Sequence, residues 1–270
     1  MSSDNLNVYL LIDNGLLQEA AISYAESDSQ VRPSWLIPIY TERALAVSPI
    51  LIDLETAYEA GGLDQVMGLV NALAPALHVS IIETGTSLAH LTQHLRRFIF
   101  ILDPERKQFT LRYTDCAILI PLSSVLTSGQ WATMRGPIVR WRAHDRSGCV
   151  VDLPPAMGIA NGPAPLCLDH DQIVALDEVS EPDHCIAKVK MMHHGTAMPG
   201  TSAEQYAHAE AALQVWRASK NSRHLSLLYL TEAALVSRGE VLRKSEITAY
   251  LMADDVNAFR ENLRKLATKR

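Results

Sequence analysis

Short apolar runs alternate with amphipathic stretches along the first half of the chain. The runs Val8–Ile12, Ile50–Leu54 and Val79–Ile82 are as short as buried strands, and the first ends at the turn sequence Asp13–Gly15. Between such runs, apolar residues recur at the spacing of a helix face. This spacing predicts three helices, over Leu16–Tyr24, Gly62–Leu73 and Leu88–Arg97.

Two further pairs of apolar runs flank polar turns and predict β-hairpins. One pair is Phe98–Leu102 with Phe109–Tyr113, and the other is Ile138–Ala143 with Cys149–Leu153. The apolar stretch Ala117–Leu126 fits a helix or a strand equally well. Because helix and hairpin signals are mixed, we predict an α/β (α+β) lobe with a mixed sheet and not a regular doubly wound fold.

The second half begins with a change in composition. Leu153–Pro165 is dense in proline and glycine, which indicates a linker or a long surface crossing, and an acidic stretch follows it. We therefore predict an α/β lobe over residues 1–152, a Pro/Gly-rich and acidic crossing over 153–200 and a smaller all-helical lobe over 201–270.

The sequence of the helical lobe contains its own start and stop signals. Thr201 and Glu204 have the spacing of a capping box and predict a helix that runs to about Lys220. A second helix is predicted over Arg223–Arg238, before Gly239. A short third helix is expected to begin at Ser245, and a fourth helix is expected to be capped by Asp254 or Asp255.

Composition and charge narrow the functional classes. The chain has 24 Lys and Arg against 30 Asp and Glu, a net charge of −6, which argues against nucleic acid as the main partner. Its apolar runs are far shorter than the roughly 20 residues that cross a bilayer, and the N-terminus lacks a basic leader. The four cysteines include no CxxC pair. We expect a cytoplasmic protein with free thiols and no membrane partner.

The chain lacks the common linear signatures of enzymes and cofactor sites. No phosphate-binding loop, GxGxxG turn, GxSxG elbow or HExxH helix is present, so we predict no enzyme activity, no cofactor and no bound metal. The alternative is a zinc-dependent hydrolase with ligands between residues 167 and 194, because zinc prefers such side chains. The candidate ligands are Cys167, Asp169, His170, Asp171, Asp183, His184, Cys185, His193 and His194. Their irregular spacing favours an acidic connecting segment over a metal site.

Several other residues have both a structural and a binding interpretation. Arg112 and Asp115 fit a helix cap with a salt bridge, and Arg96 and Arg97 fit the basic end of a helix. Trp141 fits either core packing or an interface anchor. In the helical lobe, one stripe at near-helical spacing is either core or a binding face for a partner. Its candidate binding residues are Leu225, Tyr229 and Val236.

Several segments of the first lobe resemble the adaptor, or effector-chaperone, family of the bacterial type VI secretion system, defined by the domain of unknown function 4123. Val8–Gly15 is similar to the family's opening strand, and Ser48–Leu54 to its Pro-x-Leu-[VI]-x-Leu strand. The likeness is strongest from His94–Arg97 to Phe109–Asp115, and Gly136–Trp141 resembles the closing segment. The family usually continues Asp-Pro-Arg where this chain has Asp-Cys-Ala.

The resemblance covers roughly residues 6 to 143 and implies an adaptor without catalytic activity. Such adaptors bind a toxin effector in the cytoplasm of a Gram-negative cell and help place it on the VgrG spike or its PAAR tip. The expected partners are therefore a secreted effector and a VgrG or PAAR protein. Because the second lobe carries no family-like motif, we expect it to select the effector, and residues 1–152 alone to lose it.

Overall fold

A computed structural model describes residues 6–17, 32–40, 42–72, 77–160, 164–252 and 255–268. The chain divides into unit 1, Met1–Leu176, and unit 2, Asp177–Arg270. Unit 1 combines strands with helices, whereas the described part of unit 2 is helical. This order confirms the predicted fold class.

The described part of unit 1 contains two sheets. The strands are β1 Asn7–Ile12, β2 Leu36–Pro38, β3 Ile50–Asp53, β4 Val79–Thr84, β5 Phe100–Leu102, β6 Gln108–Thr110, β7 Arg140–His144, β8 Val150–Asp152 and β9 Leu166–Cys167. The larger sheet has the order β2-β3-β1-β4-β7-β8, and every neighbouring pair in it is antiparallel. In the smaller sheet, β5 pairs antiparallel with β6 and parallel with β9. The predicted mixed sheet is therefore the smaller one, and both predicted hairpins are present.

Strand β1 explains why the sequence shows a continuous apolar run at this point. Alternate side chains of a strand point to opposite faces of its sheet. Tyr9 and Leu11 belong to one buried cluster, and Leu10 and Ile12 belong to another. Because both faces of the central strand are covered, none of these four positions is polar.

Helices of unit 1 cover the sheet and connect its strands. They are α1 Asn14–Leu17, α2 Leu54–Glu59, α3 Leu63–Val70, α4 Leu88–Arg96, α5 Cys116–Val125 and α6 Ser128–Arg135, with a 3-10 segment at Glu42–Val47. The ambiguous stretch Ala117–Leu126 is thus a helix. The predicted helices at Gly62–Leu73 and Leu88–Arg97 are confirmed within the described residues. Most of the predicted helix Leu16–Tyr24 lies outside them.

The Pro/Gly-rich segment does not mark the end of the first unit. After it, β9 pairs with β5, and Leu166 and Leu168 are buried in the main core of unit 1. Unit 1 therefore ends at Leu176 and not at residue 152. A linker between two units and a loop that returns to the same core have similar compositions, because both are rich in turn residues.

A long helix occupies much of the predicted acidic crossing over residues 153–200. Helix α7 spans His170–Met192. Its start is stabilised by Asp169 and Gln172, because each backbone N–H donates to the other's side chain, at 3.1 and 2.8 Å. This reciprocal arrangement is that of a capping box. The acidic stretch is thus the surface of a helix.

Unit 2 contains the predicted run of helices. They are α8 Ser202–Ala218, α9 His224–Val236, a 3-10 segment at Glu240–Arg243, α10 Glu246–Met252 and α11 Val256–Thr268. The capping box of Thr201 and Glu204 is present, and Asp255 accepts hydrogen bonds at the start of α11. Buried side chains from α9, α10 and α11 form one core, which includes Leu230, Ile247 and Phe259. In the described residues, no helix is long and apolar enough to span a membrane.

Candidate functional site

An ion pair joins two family-like segments that are far apart in sequence, Val8–Gly15 and Phe109–Asp115. Asp13 follows β1, and its buried carboxylate accepts hydrogen bonds from the Arg112 guanidinium, at 3.0 Å, and from the Gly15 N–H, at 2.9 Å. Arg112 also lies 3.9 Å from Asp115, which caps α5 by accepting from the Ala117 N–H. The predicted cap is therefore present, but the main partner of Arg112 is Asp13.

The electrostatics of this cluster favour a structural role. Burial works against the charged guanidinium, but the Asp13 carboxylate, together with Asp115 and Tyr40, outweighs that effect and raises the pKa of Arg112. Burial and the same carboxylate raise the pKa of Tyr40. Two carboxylates surround one guanidinium, so the cluster has no excess positive charge for an anionic ligand. It fastens the end of β1 to the segment before α5.

Next to this ion pair, titratable groups are buried where β1 ends and β4 begins in the larger sheet. The Asp13 N–H donates to the His78 carbonyl, and the His78 ring bonds the Leu69 carbonyl at 3.0 Å. Burial lowers the pKa of His78 and raises the pKa of the Cys116 thiol to about 12. At neutral pH the imidazole is therefore uncharged and the thiol protonated, which is the unreactive form of a cysteine.

The remaining candidates of unit 1 take part in packing. Arg96 donates to the Pro38 and Ile39 carbonyls, at 3.0 and 2.8 Å, and so holds α4 beside the end of β2. The Arg97 guanidinium lies over the Phe98 ring, at 5.7 Å. Trp141 is fully buried and stacks on Trp131, with ring centroids 5.9 Å apart. Burial of the whole ring places Trp141 in the core.

An apolar cleft lies between α9 and α11 in unit 2. Tyr229, Ala233 and Val236 line it from α9, and Leu263 lines it from α11. Val236 is 52% exposed although it is apolar. The stripe predicted from the sequence thus supplies Tyr229 and Val236 to the cleft. Leu225 is exposed on the same helix but does not line it.

Charged side chains at the cleft come from both helices. On α9, a carboxylate oxygen of Glu232 lies 3.0 Å from Nε2 of the His193 ring. On α11, the Arg260 guanidinium lies 4.7 Å from the centre of the Tyr229 ring, within the range of a cation–π contact. The sequence stripe did not include Arg260, because its position beside Tyr229 depends on how α11 packs on α9.

The candidate zinc ligands of the alternative hypothesis have separate surroundings. Cys185 is buried, and burial raises the pKa of its thiol. His193 pairs with Glu232, and His170 lies 3.6 Å from Glu105. Within the described ranges, no three His, Cys, Asp or Glu side chains are grouped so that they could hold a metal ion.

Comparison with protein families finds a match for the first part of the chain. Residues 8–133 match the model of the domain of unknown function DUF4123. The matched residues lie within unit 1 and contain both Asp13 and Arg112. No curated protein and no solved structure matches the chain. The DUF4123 assignment predicted from the sequence is confirmed for this region, and unit 2, with its cleft, lies outside the match.

Proposed function

We propose that this protein is a non-catalytic adaptor that binds a type VI secretion effector in the cytoplasm of a Gram-negative bacterium. In this proposal it helps load the effector onto the VgrG spike or its PAAR tip. The DUF4123 match supports the adaptor class, since the resemblance to that family implied it. The observation that carries the binding function is the apolar cleft of unit 2, which exposes Tyr229 and Val236.

We propose a division of labour between the units. Unit 1 contains the DUF4123 region and would make the contacts that such adaptors share, including those with the spike. Unit 2 would select the effector, because its surface lies outside the family match. Half-exposed apolar side chains in a cleft are a feature of protein-binding surfaces, where a few anchors supply most of the affinity.

Deletion of the gene provides the first test. We expect the deletion strain to stop secreting one effector while it continues to secrete the other effectors. A tagged full-length chain expressed in the wild-type strain should co-purify with that effector. Unchanged secretion of every effector would contradict the proposal.

Two matched variants then test the cleft. Val236→Asp places a charge in the cleft and should abolish both co-purification and secretion of the effector. Val174→Asp is the control, because Val174 is also a helical valine and is 55% exposed on α7. Equal behaviour of the two variants would contradict a binding role for the cleft.

A further inference from the structure

The spacing of residues in the cleft matches the spacing of side chains on a docked helix. On α9, Tyr229, Ala233 and Val236 stand at i, i+4 and i+7, and so share one face. At a rise of about 1.5 Å per residue, these positions extend over roughly 10 Å. An amphipathic helix that lies in a groove presents anchors at the same i, i+4, i+7 spacing. In the described part of unit 2 there is no strand, so the cleft offers no sheet edge to an extended peptide.

The two charged groups at the cleft have different surroundings. The Glu232 carboxylate lies 3.0 Å from Nε2 of the His193 ring. Among the described residues, Arg260 has no carboxylate partner, and its Nε–H is buried without a hydrogen-bond acceptor. Although the whole chain is acidic, with a net charge of −6, Arg260 places a positive charge on the α11 side of this cleft.

The Arg260 guanidinium packs over an aromatic ring, which limits its orientations. Its contact with the Tyr229 ring fixes one face of the planar group. A guanidinium that is already positioned loses less conformational entropy when it forms a bidentate pair with a carboxylate. A partner with apolar anchors and an acidic residue would contact the apolar lining of the cleft and pair with Arg260.

We propose that the cleft binds an amphipathic helix of the effector, and that an Asp or Glu of this helix pairs with Arg260. The inference rests on the proposed adaptor function and adds the chemical class of the recognised segment. Tyr229, Val236 and Leu263 contact the apolar face of the helix, and Arg260 determines which apolar helices are accepted. A hydrophobic helix without an acidic residue leaves the Arg260 charge unpaired and is bound less tightly.

The probe for the test is a set of 20-residue peptides that tile the effector whose secretion the deletion strain loses. Their binding to the full-length chain is measured by fluorescence anisotropy. We expect one helical peptide with an acidic residue to bind, and its affinity to fall as NaCl is raised. Arg260→Glu should weaken its binding at least about tenfold. Arg243→Glu is the matched control, because Arg243 is 78% exposed in the same unit and does not line the cleft.

A charge swap separates recognition from folding. The peptide with its acidic residue changed to Lys should bind the Arg260→Glu protein better than the wild type. If Arg260→Glu fails to fold, replacement of the same peptide residue by Gln or Asn against the unchanged protein gives the equivalent measurement. The charge pair is overturned if affinity is unaffected by both the protein and the peptide changes.

Other outcomes distinguish this inference from the adaptor function itself. If the effector co-purifies but no peptide binds, or peptide binding is insensitive to Arg260, the helix-recognition proposal fails and the adaptor function stands. If no effector is lost from secretion, both fail. Sedimentation of the full-length chain tests a second copy as the occupant: a dimer that Arg260→Glu converts to a monomer would overturn the effector helix as the ligand.

Discussion

At the scale of single residues, the pair of Asp13 and Arg112 links two motifs that are far apart in the sequence of unit 1. Asp13 is 3% exposed, so its carboxylate has little access to water and depends on protein groups for compensation. Arg112 supplies a charge and a hydrogen bond from a segment 99 residues away. The sequence predicts a structural role for Arg112, with Asp115 as its partner. Only the tertiary structure shows that Arg112 lies closer to Asp13 than to Asp115.

We expect Arg112→Ala to lower the free energy of unfolding by about 1–2 kcal/mol, because the buried Asp13 carboxylate then loses its charged donor. Urea denaturation followed by circular dichroism measures the change. Arg112→Ala combined with Asp13→Asn should be less destabilised than the sum of the single variants. Full stability of Arg112→Ala together with loss of effector binding would instead place Arg112 in an interface.

The cysteines should separate into two reactive and two unreactive thiols. Cys149 and Cys167 are exposed, whereas Cys116 and Cys185 are buried with a raised pKa. Since the thiolate is the reactive form, the native protein should react with Ellman's reagent at two thiols and the denatured protein at four. Mass spectrometry after alkylation identifies the sites. Rapid labelling of Cys116 in the native protein would contradict the buried environment described above.

We expect the purified chain to carry no stoichiometric zinc. His193 pairs with Glu232 and Cys185 is buried in the core, so these two candidate ligands are engaged elsewhere. Elemental analysis of protein prepared without chelators gives the metal content. About one zinc per chain would support the zinc-dependent hydrolase in place of the adaptor.

At the scale of elements, capping sequences decided where helices begin. Thr201 with Glu204 was recognised from the sequence, whereas Asp169 with Gln172 was not, because its acidic surroundings suggested a connecting segment. Helix α5 was ambiguous for a different reason. It is apolar on most sides, so its sequence has no clear period, and its cap at Asp115 settles the assignment.

The capping box of α8 should make stability depend on pH. The Glu204 carboxylate accepts hydrogen bonds from the Thr201 N–H and hydroxyl, and these bonds lower the pKa of Glu204. A depressed pKa in the folded state stabilises the fold above the ordinary Glu pKa, and this contribution is lost as pH falls through the lowered value. Thermal unfolding of Glu204→Ala should therefore differ from wild type at pH 7 and converge with it at acidic pH.

Glu210→Ala is the control for this measurement. Glu210 is exposed on the same helix, and it lies outside the capping box. Its replacement should change the melting temperature little at either pH. A Glu204→Ala effect that stays constant down to the most acidic conditions would show that the carboxylate charge does not contribute.

At the scale of the whole molecule, strand β9 decides where the first unit ends. The chain leaves the larger sheet at β8, passes through the Pro/Gly-rich segment and then adds β9 to the smaller sheet. Leu166, within this strand, and Leu168, next to it, are 2% and 1% exposed. Residues beyond 152 are therefore part of the core of unit 1.

We expect a protein ending at residue 152 to be much less stable than one ending at residue 176. The shorter protein lacks Leu166 and Leu168, and burial of one leucine side chain contributes roughly 2 kcal/mol. Thermal unfolding by circular dichroism and binding of the dye ANS compare the two proteins. Equal melting temperatures would mean that β9 is dispensable, and would restore the boundary predicted from composition.

The sequence by itself determined the fold class, most strands and helices, the capping box at Thr201 and the DUF4123 assignment. These features depend on local periodicity, turn residues and short motifs, which are properties of neighbouring positions. Tertiary structure alone decided the partner of Arg112, the return of β9 and the meeting of Arg260 with Tyr229. Each of these joins residues that lie far apart in the chain, so packing between elements, and not local pattern, brings them together.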